Sequence, residues 1–271
     1  EAGFACSRQV SDLHGGDPRQ RRGLVFQQVQ ESGQRSVAAL QFHADAVPVV
    51  PDETCQPALP GRAIHERPEA DPLDDAAYVA LIVHLLQQRA GRGYERPVIA
   101  ALWTGEEKGL HGSRWFIDHP TIPLEKIAAN INLDQLRPIF PLEVMTVHAL
   151  TDTTLGTDAT IIAKSQNIRV QEDPEPERNL LRRTDHWPFL SAGIPAINFV
   201  FGFEPGSRSE EIYRQWYRTG YHRPQDDIAQ LMDWQAAADF NQFFYALVAR
   251  VANQEDVPAW REGSTLRPSP E

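Results

Sequence analysis

Apolar and polar positions alternate with two different periods along the chain. The short, continuous apolar run at 97–103 (PVIAALW) is typical of a strand buried on both faces, and 127–133 predicts another buried strand. Between such runs, apolar residues recur at helical spacing, as at 76–89 and 234–253, where the last stretch carries three phenylalanines on one face. Strands that alternate with helices predict a single α/β domain with a mixed, mostly parallel central sheet flanked by helices on both faces. Further elements are expected at 108–119 and 158–165 (helices) and at 144–148 and 196–200 (strands).

The two ends of the chain differ from this pattern. Residues 1–22 are polar and contain glycine, and they predict a flexible N-terminal arm before a catalytic domain at 23–257. Residues 24–30 and 36–42 flank Glu31-Ser32-Gly33-Gln34, which predicts a β-hairpin, and a proline-rich loop follows. Residues 258–271 predict a disordered tail.

Composition excludes two classes of partner. The chain has 271 residues, with 37 acidic against 26 basic side chains and a formal charge of −11, which disfavours binding to a nucleic-acid backbone. No apolar run reaches the roughly 18 residues that a membrane span needs. Cys6 and Cys55 could form one disulfide or remain two thiols, and the sequence leaves both open.

Acids and histidines gather where the predicted strands end, which is where open α/β sheets place their ligand sites. Glu106 and Glu107 follow the strand at 97–103, and neighbouring carboxylates there repel each other unless a cation or a shared proton compensates. Any one such position could be a polar turn or a helix cap. Five of them, rich in the ligand types that zinc prefers, predict a metal site together. They are His43-Ala44-Asp45, Asp74-Asp75, Glu106-Glu107, Asn132-Leu133-Asp134 and the loop from Tyr221 through His222 to Asp226.

Several segments resemble one enzyme family in the correct order. ALWTGEEKGLHGSRWFIDHP (101–120) is similar to the signature segment of the co-catalytic di-zinc aminopeptidases, metallopeptidase family 28. That family also includes glutamate carboxypeptidase II and the glutaminyl cyclases. The similarity continues through PLEKIAANINLD (123–134), RTDHWPFLSAGIPAI (183–197) and GYHRPQDD (220–227), and it covers roughly residues 36–250.

The resemblance implies two zinc ions per chain and assigns a role to each matching residue. Glu106 is expected to be the general base, and Tyr221 to help hold the oxyanion. Asp45 and Asp226 are expected to orient ligands, and Asp185 and His186 to lie beside the substrate pocket. Asp74 is expected to bridge the two metal ions. The family has a small residue and then a glycine after that aspartate, where this chain has Ala77 and Tyr78, and Asp75 could take the bridging position instead. The implied metal ligands are His43, Asp74, Glu107, Asp134 and His222.

The expected activity is therefore that of a zinc exopeptidase, an aminopeptidase that removes N-terminal residues from peptide substrates. Three alternatives stay open: a carboxypeptidase- or dipeptidase-type member, a glutaminyl-cyclase-like acyltransferase, and a domain that keeps the fold without catalysis. The first would need a cation for the substrate carboxylate, and Arg182, Arg183 or Arg223 could supply it. The family and the absence of an initiator Met predict an extracytoplasmic location, whereas the sequence does not predict the oligomeric state.

Overall fold

The computed structural model describes residues 23–29 (backbone only), 85, 93–225 and 230–269. Its strands are β1 (Gly23–Val29), β2 (Val98–Trp103), β3 (Ile127–Leu133), β4 (Val144–His148), β5 (Arg169–Gln171) and β6 (Ala196–Phe201). Its α-helices are α1 (His111–Asp118), α2 (Thr154–Ser165), α3 (His186–Ser191), α4 (Arg208–Thr219) and α5 (Trp234–Asn253), with short 3₁₀ turns at Leu124–Lys126, Pro176–Arg178 and Leu180–Arg182. Among the helices of these residues, none is both long and apolar enough to cross a bilayer.

The six strands form one open sheet in the order β2-β1-β3-β6-β4-β5. Every neighbouring pair runs parallel except β4 and β6, which are antiparallel. This confirms the predicted α/β class and its mixed, mostly parallel sheet. The antiparallel step matters for the site, because it brings the end of β4 level with the middle of β6.

Burial separates the central strands from the edge. All residues of β3 and β6 are buried, as expected for mainly apolar strands between two helical layers. The equally apolar β2 is the outermost strand among those that the structure describes, and Leu102 keeps 55% of its surface exposed. The predicted strand is confirmed, but the prediction that it is buried on both faces is wrong. An apolar run does not reveal which strands and helices will lie beside it.

Helices cover both faces of the sheet, and each layer has its own hydrophobic cluster in the described residues. On one side, Phe240, Phe243 and Phe244 of α5 surround Phe199 of β6 in edge-to-face contacts with ring centroids 5.3–6.4 Å apart. Burying each such side chain stabilises the fold by roughly 1.5–3 kcal/mol. On the other side, α1 and α3 contribute Phe116 and Phe189, which pack against each other and against Trp103.

The prediction that residues 24–30 form the first strand of a β-hairpin is wrong. Both edges of β1 are occupied by parallel partners, β2 on one side and β3 on the other. An antiparallel strand following a tight turn would need one of those edges. Residues 36–42 lie outside the described part of the chain, as does the predicted arm at 1–22.

The prediction of a disordered tail is also wrong for residues 258–269, which contact the rest of the domain. Trp260 pairs with Thr153 in a β-bridge, and its indole Nε1–H donates to the Gly193 carbonyl at 2.8 Å. Ser264 Oγ donates to Asp152 at 2.7 Å. The segment is polar and rich in turn residues, yet its single tryptophan packs against the second cluster and holds it to the domain.

Candidate active site

The glutamate pair lies in a tight turn between β2 and α1. The turn is closed by backbone hydrogen bonds, in which the amides of Gly109 and Leu110 both donate to the Glu106 carbonyl at 2.9 Å. Leu110 has φ of 61°, a left-handed conformation that costs energy for a branched side chain and is found at functional turns. This left-handed residue also delays the start of α1 to His111, three residues after the predicted start.

Gly112 makes the compact turn possible. A Cβ at this position would lie 2.8 Å from both the backbone N and the backbone O of Thr104, closer than atoms can pack. The first turn of α1 can therefore lie directly on the end of β2. As a result Glu106 is buried, whereas Glu107 is exposed and faces a different set of neighbours.

Glu107 contacts His222, a second residue of the ligand set that the resemblance implies. The Oε1 atom of Glu107 and the Nε2 atom of His222 are 2.8 Å apart. His222 follows α4 in a turn where its own φ is 54°. The hydrogen bond from His222 holds the pKa of Glu107 below its ordinary value; the charges of His222, Arg183 and Lys108 act in the same direction, while burial opposes them.

Tyr221 is fixed by aromatic packing beside this pair. Its ring stacks on the His222 ring at 3.8 Å between centroids, and it contacts the rings of Trp216 and Tyr217 at 5.0 and 4.8 Å. Burial raises the pKa of its hydroxyl, and electrostatic interactions with Tyr217, Glu107 and Asp134 raise that pKa further. The phenol therefore keeps its proton at neutral pH and remains a hydrogen-bond donor.

Asp134 is in an unfavourable environment for an ionised carboxylate. It follows β3 directly, and burial, together with the nearby charges of Asp185 and Glu107, raises its pKa to about 7. Crowded carboxylates of this kind are stabilised in their ionised form by a bound cation.

A cavity of about 230 Å³ joins these residues. Glu106, Glu107, Asp134 and Tyr221 all line it, although they come from three separate parts of the chain. The structure thus brings together four of the residues that the sequence selected, with His222 attached through Glu107.

The same cavity is also lined by His148 and Asn198, two residues that the sequence did not select. The strand register places Asn132, Asn198 and His148 in one row across β3, β6 and β4. Asn132 Nδ2 donates to Asn198 Oδ1 at 2.9 Å, and Asn198 Nδ2 lies 3.1 Å from His148 Nδ1. His148 ends a predicted strand, so the strand-end rule could have selected it, but only the register shows that it meets the other two.

Asp185 and His186 lie beneath the pocket surface. Both are fully buried and neither lines the cavity. Asp185 accepts a hydrogen bond from Ser113 of α1, and His186 Nδ1 is hydrogen-bonded to the Thr184 hydroxyl. Their neighbours Arg183 and Thr184 line the cavity instead.

The other predicted site residues, namely His43, Asp45, Asp74 with its alternative Asp75, and Asp226, lie outside the described part of the chain. Within residues 93–225 and 230–269, no three Asp, Glu, His or Cys side chains come close enough to share one ion. The donors that are present nevertheless fit zinc. Glu107 and His222 are in contact, and Asp134 is a crowded carboxylate at the same cavity.

An open α/β sheet with paired glutamates, a histidine and a crowded aspartate in one cavity defines the class of metal-dependent hydrolases. The model of peptidase family M28 matches residues 25–248, and the chain belongs to that family. A search of curated proteins gave no significant match.

Solved structures agree with this fold. A zinc aminopeptidase from Bacillus subtilis, BSAP, is 16% identical with a TM-score of 0.56, over 92% of this chain and 49% of its own. The aminopeptidase LapA from Legionella pneumophila is 17% identical with a TM-score of 0.53, over 88% of this chain and 53% of its own. The chain therefore spans about half the length of these two proteins.

Proposed function

We propose that this protein is a zinc-dependent aminopeptidase that hydrolyses the N-terminal peptide bond of its substrates. The contact of Glu107 with His222, at 2.8 Å, carries the proposal. These residues are 115 positions apart in the sequence, and they meet beside Glu106 and Asp134 at one cavity. The M28 membership and the two aminopeptidases of similar fold support the assignment.

Glu106 is the general base in this proposal. It is buried, lines the cavity, and lies next to Glu107 without sharing that residue's contact with His222. A carboxylate in this position can take a proton from the attacking water and pass it to the leaving amine. The Tyr221 hydroxyl, which stays protonated, donates a hydrogen bond to the oxyanion.

The metal ligands in the described part are Glu107, Asp134 and His222, and we assign His43 and Asp74 to complete a site for two zinc ions. When bound, zinc supplies Lewis acidity, which polarises a peptide carbonyl and acidifies water. A bound dication would also stabilise the ionised form of Asp134, whose pKa burial and the neighbouring carboxylates raise.

The general-base role is tested with the Glu106→Gln variant. We expect hydrolysis of leucine p-nitroanilide to fall by about 10²–10⁴-fold, because the amide cannot accept the proton of water. Zinc content per chain and thermal stability should stay at wild-type values. Glu125→Gln, an exposed residue away from the cavity, is the matched control. Near-normal turnover in Glu106→Gln would remove this residue from the mechanism.

Metal content separates the remaining alternatives. We expect two zinc ions per chain, and activity that is lost on treatment with a chelator and restored by zinc. A single zinc together with cyclisation of an N-terminal glutamine peptide would favour the acyltransferase alternative. A folded chain that binds no zinc and hydrolyses nothing would leave only the non-catalytic alternative.

A further inference from the structure

The cavity that holds the acidic residues also has a cationic side. Three arginines line it: Arg114 from α1, and Arg182 and Arg183 from the turn before α3. The proposed metal site explains the carboxylates but gives no role to these guanidinium groups. A cavity with both signs of charge suits a ligand that carries both signs.

Two of the arginines are held in place by groups other than carboxylates. Arg182 lies over the Trp187 ring, with its guanidinium carbon 4.9 Å from the ring centroid. Arg114 Nε donates to the Gly109 carbonyl at 3.0 Å, so its two terminal nitrogens are not used by that bond. The backbone amide of Arg183 donates to the Leu180 carbonyl at 3.0 Å, and its guanidinium, whose charge acts on Glu107, makes no hydrogen bond or ion pair with the other residues that the structure describes. All three can therefore offer donors to an anion.

His148 gives a second, independent sign of a ligand. It lines the same cavity, is only 3% exposed, and its Nε2 atom has no hydrogen-bond partner among the described residues. Asn132 donates to Asn198, which in turn donates to His148 Nδ1, so the proton of the neutral imidazole lies on Nε2. The Asp173 Oδ2 atom lies 3.9 Å from Nε2, beyond hydrogen-bond distance. A buried N–H donor without a hydrogen-bonded acceptor is costly, and a bound acceptor removes that cost.

We propose that Arg182, Arg183 and His148 bind the C-terminal carboxylate of a short peptide. The planar guanidinium fork matches a carboxylate, and such charge-assisted hydrogen bonds are strong. The inference rests on the proposed function, because the scissile bond must lie at Glu106 in the same cavity. The arginines and the acidic residues line one cavity of about 230 Å³, so a substrate that reaches both with its two ends is a very short peptide. The substrate class is therefore dipeptides and tripeptides with a free C-terminus.

The test compares substrates that differ only in the carboxylate. Leu-Gly, Leu-Gly amide and Leu-Glu amide share the same N-terminal residue, and the third carries its carboxylate on a side chain. We expect kcat/KM for Leu-Gly to exceed that for Leu-Gly amide by on the order of 10- to 100-fold. Equal values for the acid and its amide would overturn the inference, and so would a preference for Leu-Glu amide over Leu-Gly.

Variants test the residues themselves. Arg182→Met and Arg183→Met keep a long apolar stem at exposed positions, and each should lower the ratio of acid to amide kcat/KM towards one. Arg208→Met, at an exposed arginine of α4 outside the cavity, should keep the wild-type ratio. A wild-type ratio in the Arg182→Met, Arg183→Met double variant would overturn the assignment.

Binding to the inactive Glu106→Gln variant separates this inference from the proposed function. Calorimetry should show a lower Kd for Leu-Gly than for Leu-Gly amide, whether or not turnover occurs. Absence of hydrolysis by the wild type would overturn the aminopeptidase proposal, while the binding preference would still decide the carboxylate site. Equal Kd values would overturn the carboxylate site alone.

Discussion

Glu106 and Glu107 show how one turn gives two identical side chains different surroundings. Glu106 is buried and lines the cavity, while Glu107 is exposed and contacts His222. The sequence supplied the pair and, through the family resemblance, an expected role for each. The difference in their surroundings comes from the turn itself, in which left-handed Leu110 and the close approach at Gly112 set the direction of each side chain.

Tyr221 carries a prediction at this scale. Tyr221→Phe keeps the ring that stacks on His222 and packs against Trp216, so the fold and the position of His222 should not change. Loss of the hydroxyl removes one donor to the oxyanion and should lower kcat by about 10²-fold, with little change in KM. Steady-state kinetics on leucine p-nitroanilide measure both constants. An unchanged kcat would show that the phenol takes no part in the reaction.

Helices and strands could be predicted from the sequence where the pattern that specifies them is local. Helix α5 has the predicted ends, because its phenylalanines recur at helical spacing and Asp233 caps its first turn by accepting from the Ala236 amide at 2.9 Å. Helix α4 was not predicted, since only Tyr213 and Trp216 of its twelve residues are buried and its polar face dominates the sequence. Helix α2 begins at Thr154, four residues before its predicted start, because its first turn includes Gly156, a weak helix former.

Gly156 gives a prediction at the scale of the element. Helix propensity alone would make Gly156→Ala stabilising by about 1 kcal/mol. A Cβ there would lie 1.7 Å from the Leu150 carbonyl oxygen, however, and the backbone would have to move. We expect a net loss of about 1–3 kcal/mol in the free energy of unfolding, measured by urea denaturation.

The control for this prediction lies in the same helix. Lys164→Ala changes an exposed residue of α2, and its effect should stay within about 0.5 kcal/mol. A stabilised Gly156→Ala variant would mean that propensity outweighs the close contact.

At the scale of the whole molecule, the strand order decides which distant residues meet. Parallel β3 and β6 and antiparallel β4 place Asn132, Asn198 and His148 in one hydrogen-bonded row. No periodicity in the sequence encodes that register. The row buries an imidazole, and the fold as a whole thereby acquires a dependence on pH.

His148 makes that dependence measurable. Burial lowers the pKa of His148 from 6.5 to about 4. The charge of Asp173, whose Oδ2 atom lies 3.9 Å from His148 Nε2, opposes this shift. The ring of His186 stacks on the His148 ring, with the two centroids 5.9 Å apart. Between these two pKa values the unfolded chain binds the proton and the folded chain does not. The contribution of His148 is therefore complete above about pH 6.5 and is lost as the pH falls towards 4.

We expect the free energy of unfolding of the wild type to fall more steeply between pH 7 and pH 5 than that of His148→Gln, which has no titrating ring at this position. Denaturant unfolding of both proteins at each pH measures the difference. Groups that titrate in both proteins contribute equally and cancel in the comparison. Asp134 is one of them, and its raised pKa makes its contribution change with pH in the opposite direction. Parallel slopes would show that the imidazole is protonated equally in both states.

The sequence by itself determined the fold class and most of the elements from β2 to α5, and it placed acids and histidines at strand ends, because burial and periodicity are local properties. It did not determine that β2 is the outermost of the described strands, that β1 has two parallel neighbours, or that Trp260 holds the C-terminal segment. Those features depend on contacts between distant residues. The tertiary structure alone decided that Glu107 reaches His222, and that arginines and a buried histidine share the cavity of the acids. The physical reason is that strand order and register, which no single segment encodes, set which side chains face the same space.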